Sequence, residues 1–174
     1  MATLVLGGAR SGKSAHAEGL MPSEHATYVA TARVDPGDGE WAARIAAHVA
    51  RRPSGWRTVE PADLAGFLAE VTGPVIVDDL ATWLAGVMDD RGVWDGSDEG
   101  GLDDVRRECG RLVGAVGASA AELVLVSAEV GLGVVPATRS GRLFRDQLGM
   151  LNASLAERCV EVVLLVAGIP LRLR

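Results

Sequence analysis

One short segment constrains this chain more than any other. Residues 7–14 read Gly7-Gly8-Ala9-Arg10-Ser11-Gly12-Lys13-Ser14, which satisfies G-x-x-x-x-G-K-[ST] in full. An apolar run, Thr3–Leu6, precedes it, and Lys13–Met21 has the character of a helix. A strand that turns through glycines into a helix aims backbone N–H groups and the positive end of the helix dipole at one point. Such a point holds phosphate. The spacing therefore assigns Gly7–Ser14 to the phosphates of a nucleoside triphosphate. Lys13 is expected at the β- and γ-phosphates, and the Ser14 hydroxyl at a magnesium ion (Mg2+). A glycine-rich turn with a chance lysine is the bland alternative, and the complete pattern in its strand–loop–helix setting weighs against it. The pattern itself names neither the base nor the reaction.

Beyond the loop, the chain alternates between apolar runs and helical stretches. Strands are expected at Tyr28–Thr31, Pro74–Asp78, Glu122–Ser127 and Glu161–Val166, with a short, antiparallel one at Leu171–Leu173. Helices are expected at Gly39–Arg52, Pro61–Val71, Leu80–Met88, Asp103–Val116 and Thr138–Arg158. Asp89–Gly101 and Glu129–Ala137 read as loops, the first of them mobile. Continuous Val and Leu strands require a sheet covered on both faces, and β–α alternation implies parallel strands. The expected fold is α/β, a P-loop NTPase with helices on both faces of the sheet, in one domain spanning 1–174. Ligands in such sheets lie beyond the carboxyl ends of the strands.

Composition narrows the class. The chain has 174 residues, 48% hydrophobic but only 4% aromatic, so Ala, Val and Leu must build the core. A net charge of −6 argues against non-specific nucleic-acid binding, which needs a basic face. Cys109 and Cys159 stand far apart and suggest neither zinc nor a disulfide. No apolar run approaches the roughly 20 residues of a membrane span. A reducing cytoplasm is the expected setting.

Two further features bear on chemistry. The run Pro74-Val75-Ile76-Val77-Asp78-Asp79 offers an acid at a strand end, where a P-loop site takes its second magnesium contact. Asp78 is preferred over Asp79, and either one can cap the next helix. His48 has Arg44 four residues before it, with Arg51 and Arg52 three and four after it. Helical spacing brings these four side chains together. Three guanidiniums disfavour protonation of the imidazole and attract phosphate, and a neutral imidazole beside phosphate is a nucleophile. Equally, His48 could simply border the apolar stripe Trp41–Ile45–Val49. His16 reads as structural and His25 as solvated.

With these residues in place, the chain resembles a known family, the bifunctional adenosylcobinamide kinase/adenosylcobinamide-phosphate guanylyltransferases of cobalamin biosynthesis. The resemblance rests on an ordered set: GGARSGKS, then His16-Ala17-Glu18, and YVATA at Tyr28–Ala32. Next come Arg44, Ile45, His48, Arg52, Pro53 and Trp56 in R-I-x-x-H-x-x-x-R-P-x-x-W, and then Arg57-Thr58-Val59-Glu60. VDDLATWL at Val77–Leu84, EVGLGVVP at Glu129–Pro136 and FRDQLGMLN at Phe144–Asn152 complete it. The resemblance implies a recombinase-like P-loop fold and two activities. One phosphorylates adenosylcobinamide from ATP or GTP. The other moves GMP from GTP to the resulting phosphate through a guanylyl-histidine, here at His48. It also implies nucleotide contacts at Gly7–Ser14, Ala30, Thr31, Ala32, Val49, Ala50, Arg51, Arg52, Glu60 and Asp78, and a homo-oligomer such as the trimer of a characterised member. The chain departs from the family pattern at Ala128, Ala153, Asp79 and Ala81, and in the stretch Asp35-Pro36-Gly37-Asp38-Gly39.

Overall fold

A computed structural model describes residues 1–22, 24–33, 52–95 and 99–174. Seven strands form one sheet: β1 (Ala2–Gly7), β2 (Thr27–Ala30), β3 (Arg57–Val59), β4 (Pro74–Asp78), β5 (Glu122–Ala128), β6 (Glu161–Val166) and β7 (Ile169–Arg172). Their order is β3-β2-β4-β5-β1-β6-β7. All neighbours pair in parallel except β6 and β7. Among the described residues the helices are α1 (Lys13–Leu20), α2 (Leu64–Glu70), α3 (Leu80–Asp90), α4 (Glu99–Ala118) and α5 (Arg139–Ala156). This is the α/β, mostly parallel P-loop arrangement the sequence predicts. β5 lies between the strand of the phosphate loop and the strand of Asp78, in keeping with the recombinase-like resemblance.

The apolar runs are continuous in sequence, yet their side chains divide between two faces with the period of two that a strand imposes. Leu4, Leu6, Val75, Val77, Leu123 and Leu125 pack with residues of α2, α3, α4 and α5. Val5, Ile76, Val124, Val126 and Tyr28 pack on the other face with Ala17 of α1. Full burial of each Val or Leu contributes roughly 1.5–3 kcal/mol. Polar ties add register. Ser127 Oγ donates to Asn152 Oδ1 at 2.7 Å, and Asn152 Nδ2 donates to the Ala128 carbonyl at 3.0 Å, so α5 is pinned to the end of β5.

Several boundaries differ from expectation. The helix expected from Pro61 starts at Leu64, because the Asp63 carboxylate accepts the Gly66 N–H at 3.0 Å and caps it. The segment expected as a mobile loop at Asp89–Gly101 is shortened at both ends by helices: α3 runs to Asp90 and α4 begins at Glu99. Between them Trp94 Nε1 donates to Asp89 Oδ1 at 2.5 Å, and Val93 is buried. The three-residue edge strand β3 went unforeseen, since Arg57-Thr58-Val59 carries no apolar run. The helix expected at Gly39–Arg52 lies, except for Arg52, outside the described residues.

Burial pushes both cysteine thiols up, to about 11, with the Glu108 charge adding to the effect at Cys109. Between the ordinary value of 9.0 and about 11 the folded chain therefore holds more protons than the unfolded one. Stability should fall as pH rises through that window. Thermal unfolding measured across it should show a shallower decline in a Cys109→Ala/Cys159→Ala variant than in the parent.

Candidate active site

Gly7 closes β1, and its carbonyl accepts the Glu129 N–H at 3.0 Å, which seats the loop after β5 against the phosphate loop. A Cβ at Gly7 would strike Ser11 Oγ and come within 3.1 Å of the Leu165 carbonyl, so no side chain fits there. Arg10 and Gly12 adopt left-handed φ values of 57° and 91°. Such backbone turns successive N–H groups toward one side. The first helical bond of α1 is His16 N–H to the Gly12 carbonyl at 2.9 Å, and no side chain caps the helix. The opening N–H groups are thus left for an anion. Lys13 and Ser14 occupy the first turn, half-buried.

The terminal hairpin braces this loop. Ala167 and Gly168 turn β6 into β7 with φ values of 52° and 80°. The Gly168 N–H donates to the Ser11 carbonyl at 3.0 Å.

The two aspartates separate by function. Asp79 Oδ1 accepts the Thr82 N–H at 2.7 Å and caps α3, while the Asp79 carbonyl accepts from Thr31 Oγ1 at 2.7 Å. Asp78 ends β4 with a half-buried carboxylate that receives the Tyr28 hydroxyl at 2.7 Å. The Asp78–Asp79 peptide bond is cis. Strand parity puts Asp78 on the face of Ile76, which is also the face of α1. The helix cap and the carboxylate that meets Tyr28 are therefore different residues.

The remaining expected nucleotide contacts lie elsewhere. Ala30 ends β2, Thr31 and Ala32 follow it, and Glu60 follows β3. These residues line a cavity of about 470 Å³ closed by Trp83 and Gly86 of α3. Arg33 forks onto Asp90 at 2.7 and 2.5 Å along its rim, passing where a Cβ at Gly86 would sit 3.0 Å from Arg33 Nε. β2 stands three strands from β1, roughly 14 Å at the usual spacing. The expected contacts thus form two groups along one edge of the sheet. His48, Val49, Ala50 and Arg51 lie outside the described residues. Arg52 is described: its Cζ sits 3.3 Å from the Tyr28 ring centroid, and its Nη1 donates to Thr58 Oγ1 at 2.9 Å. Close by, Trp56 Nε1 donates to the Pro22 carbonyl at 3.1 Å.

A family model described as cobinamide kinase / cobinamide phosphate guanyltransferase matches residues 3–173. The chain belongs to this family. It is 43% identical, over 182 residues, to the bifunctional adenosylcobalamin biosynthesis protein CobP of Pseudomonas aeruginosa, covering 100% of this chain and 98% of that protein. It is 38% identical over 183 residues to CobU of Escherichia coli, and 39% identical over 188 residues to CobU of Salmonella typhimurium, each named a bifunctional adenosylcobalamin biosynthesis protein. Both alignments cover the full length of each partner.

Against that family background, two contributors to the site escaped the sequence reading. Tyr28 had a readable signal: it shares strand parity with Asp78 once β2 and β4 are paired. Gly168 had none, because nothing local tells that the last turn meets the first loop.

Asp79→Ala should lower stability by about 1 kcal/mol through loss of the cap. The melting temperature should drop by roughly 2–4 °C. Calorimetric titration should find magnesium-nucleotide affinity retained in this variant and weakened in Asp78→Asn.

Proposed function

We propose that this chain phosphorylates adenosylcobinamide from ATP or GTP, then transfers GMP from GTP to adenosylcobinamide phosphate. The observation that carries the reading is the uncapped, left-handed entry into α1 beside a strand-end carboxylate, within a chain of this family. In the first reaction the acceptor hydroxyl attacks the γ-phosphorus, loses its proton, and a nucleoside diphosphate leaves. Lys13 and the loop N–H groups offset the charge on the transferred group.

In the second reaction a ring nitrogen of neutral His48 attacks the α-phosphorus of GTP. The bond to the bridging oxygen breaks and pyrophosphate departs. An oxygen of the corrinoid phosphate then displaces the histidine, giving adenosylcobinamide-GDP and restoring the imidazole. Splitting one transfer into two is covalent catalysis. Arg44, Arg51 and Arg52 are assigned to phosphate charge. Val49 and Ala50 lie with them in the nucleotide-contacting segment, and Ala30, Thr31, Ala32 and Glu60 are assigned to the nucleoside end.

Magnesium fits the donors present. Ser14 and Asp78 lie at the same edge of the sheet, and among the described residues no cluster of three or more His, Cys, Asp or Glu competes with them. P-loop sites hold this ion through few protein atoms, with the phosphates completing the shell. When bound there it would neutralise charge on the leaving phosphates.

The loop after β5 supports an apolar acceptor near the phosphate loop. Its Leu132, Val134 and Val135 are 82%, 95% and 59% exposed. We also assign the chain to a homo-oligomer, a trimer as the first form to test, acting in the cytoplasm. Among the described residues no helix is long and apolar enough to cross a membrane.

Incubation with α-labelled GTP and magnesium should leave an acid-labile, alkali-stable label on the protein, and His48→Ala should abolish it. Persistence of the label in that variant would overturn the assignment. A P-loop kinase without nucleotidyl transfer predicts no label at all. Lys13→Ala should lose both reactions; loss of only one would mean that two separate phosphate sites operate.

A further inference from the structure

We infer that Tyr28 is a positioning residue for both reactions: its hydroxyl fixes the Asp78 carboxylate beside the phosphate loop, and its ring seats Arg52, four residues beyond His48. The inference rests on the roles proposed above for Asp78 and His48.

Tyr28 is only 3% exposed and lies within the apolar layer on the α1 face of the sheet. Phenylalanine would fill that space as well, so the hydroxyl needs a reason. Buried phenols carry one when they find a partner. In the parallel register Tyr28 stands opposite Ile76 and Ala30 opposite Asp78. Asp78 is therefore the diagonal neighbour of Tyr28 on the same face, within reach of an aromatic side chain. The hydroxyl spans that diagonal and donates to Oδ2 at 2.7 Å, leaving Oδ1 for another partner.

The other half of the side chain meets Arg52. A guanidinium carbon 3.3 Å from the ring centroid is a stacked contact, and the Thr58 hydroxyl of β3 holds its outer nitrogen at 2.9 Å. One residue thus touches the acid at the end of β4 and the guanidinium of Arg52, four positions after His48 in the sequence. Substituting the ring for its hydroxyl-free analogue separates the two contacts.

The test uses the full chain as wild type, Tyr28→Phe, Tyr28→Leu and Asp78→Asn. Mn2+ replaces Mg2+ as a spectroscopic probe, and its affinity for the GDP complex is read by electron paramagnetic resonance. Histidine labelling from α-labelled GTP is timed at saturating metal. Tyr28→Phe should weaken Mn2+ binding on the order of tenfold, the size expected for a lost hydrogen bond to a charged group. It should label at close to the wild-type rate. Tyr28→Leu should weaken Mn2+ equally and label several-fold more slowly. Should Tyr28→Leu fail to fold, Tyr28→Met takes its place, with the same weakened Mn2+ affinity and slowed labelling expected. Wild-type Mn2+ affinity in Tyr28→Phe, with Asp78→Asn weakened, overturns the inference alone. So does labelling in Tyr28→Leu as fast as in Tyr28→Phe. Mn2+ affinity unchanged in Asp78→Asn overturns the role of Asp78 and this inference together.

Discussion

Everything in this molecule depends on burying the central strands on both faces. β1, β4 and β5 carry apolar side chains up and down, so neither face offers room for a charge. Polar chemistry can emerge only where strands end. At that edge the parallel arrangement delivers several strand termini side by side, each leading through a turn into a helix or loop. Gly7, Ala30, Val59 and Asp78 all end there, although they come from distant parts of the sequence. The site is thus a consequence of how the core is satisfied, and needs no separate scaffold.

Within that edge, charge is managed by leaving groups unpaired on one side and pairing them on the other. The start of α1 goes without a side-chain cap, and its N–H groups wait for an anion. By contrast α2, α3 and α5 are each capped by a local side chain, Asp63, Asp79 and Thr138. The difference is informative because an uncapped helix start forgoes about 1 kcal/mol relative to a capped one. A start left open beside three capped ones is suited to a ligand in place of the cap. The neighbouring left-handed residue Arg10 adds to that cost and makes sense on the same ground.

Much of this was legible in the sequence, and the legible part has a physical character. β4 and β6 fall at the residues expected, since Val and Leu runs flanked by Gly, Pro or acidic residues leave little choice of boundary. The phosphate loop was readable for a similar reason: each of its residue types is demanded by local backbone geometry. Readings failed where local preference competed with a cap or with partners distant in sequence. Pro61 suggested a helix start, but Asp63 holds the Gly66 N–H and sets it three residues later. Gly92 and Asp89 suggested a loose connection, yet Trp94 reaches back to Asp89, tilts against Phe144 with ring centroids 6.4 Å apart, and orders it. β3 has no apolar signature because, as a short strand at the edge, it needs none. Gly168 matters through tertiary contact alone.

The adjacent aspartates illustrate how parity decides chemistry. Both were acceptable acids from sequence, and both are acceptable caps. The strand period places Asp78 on the α1 side, where the phosphate loop opens, and the next turn sends Asp79 to the other side to cap α3. Each carboxylate then meets a different donor: a phenol hydroxyl for Asp78, a backbone N–H for Asp79. Each carboxylate uses one oxygen in that bond, so what separates the two is the side of the sheet on which they lie. The Tyr28 bond orients the carboxylate proposed to meet magnesium. It also ties the acid to β2, the strand on which Arg52 rests. Asp78 and Arg52 are therefore joined through one side chain of the core rather than through any loop.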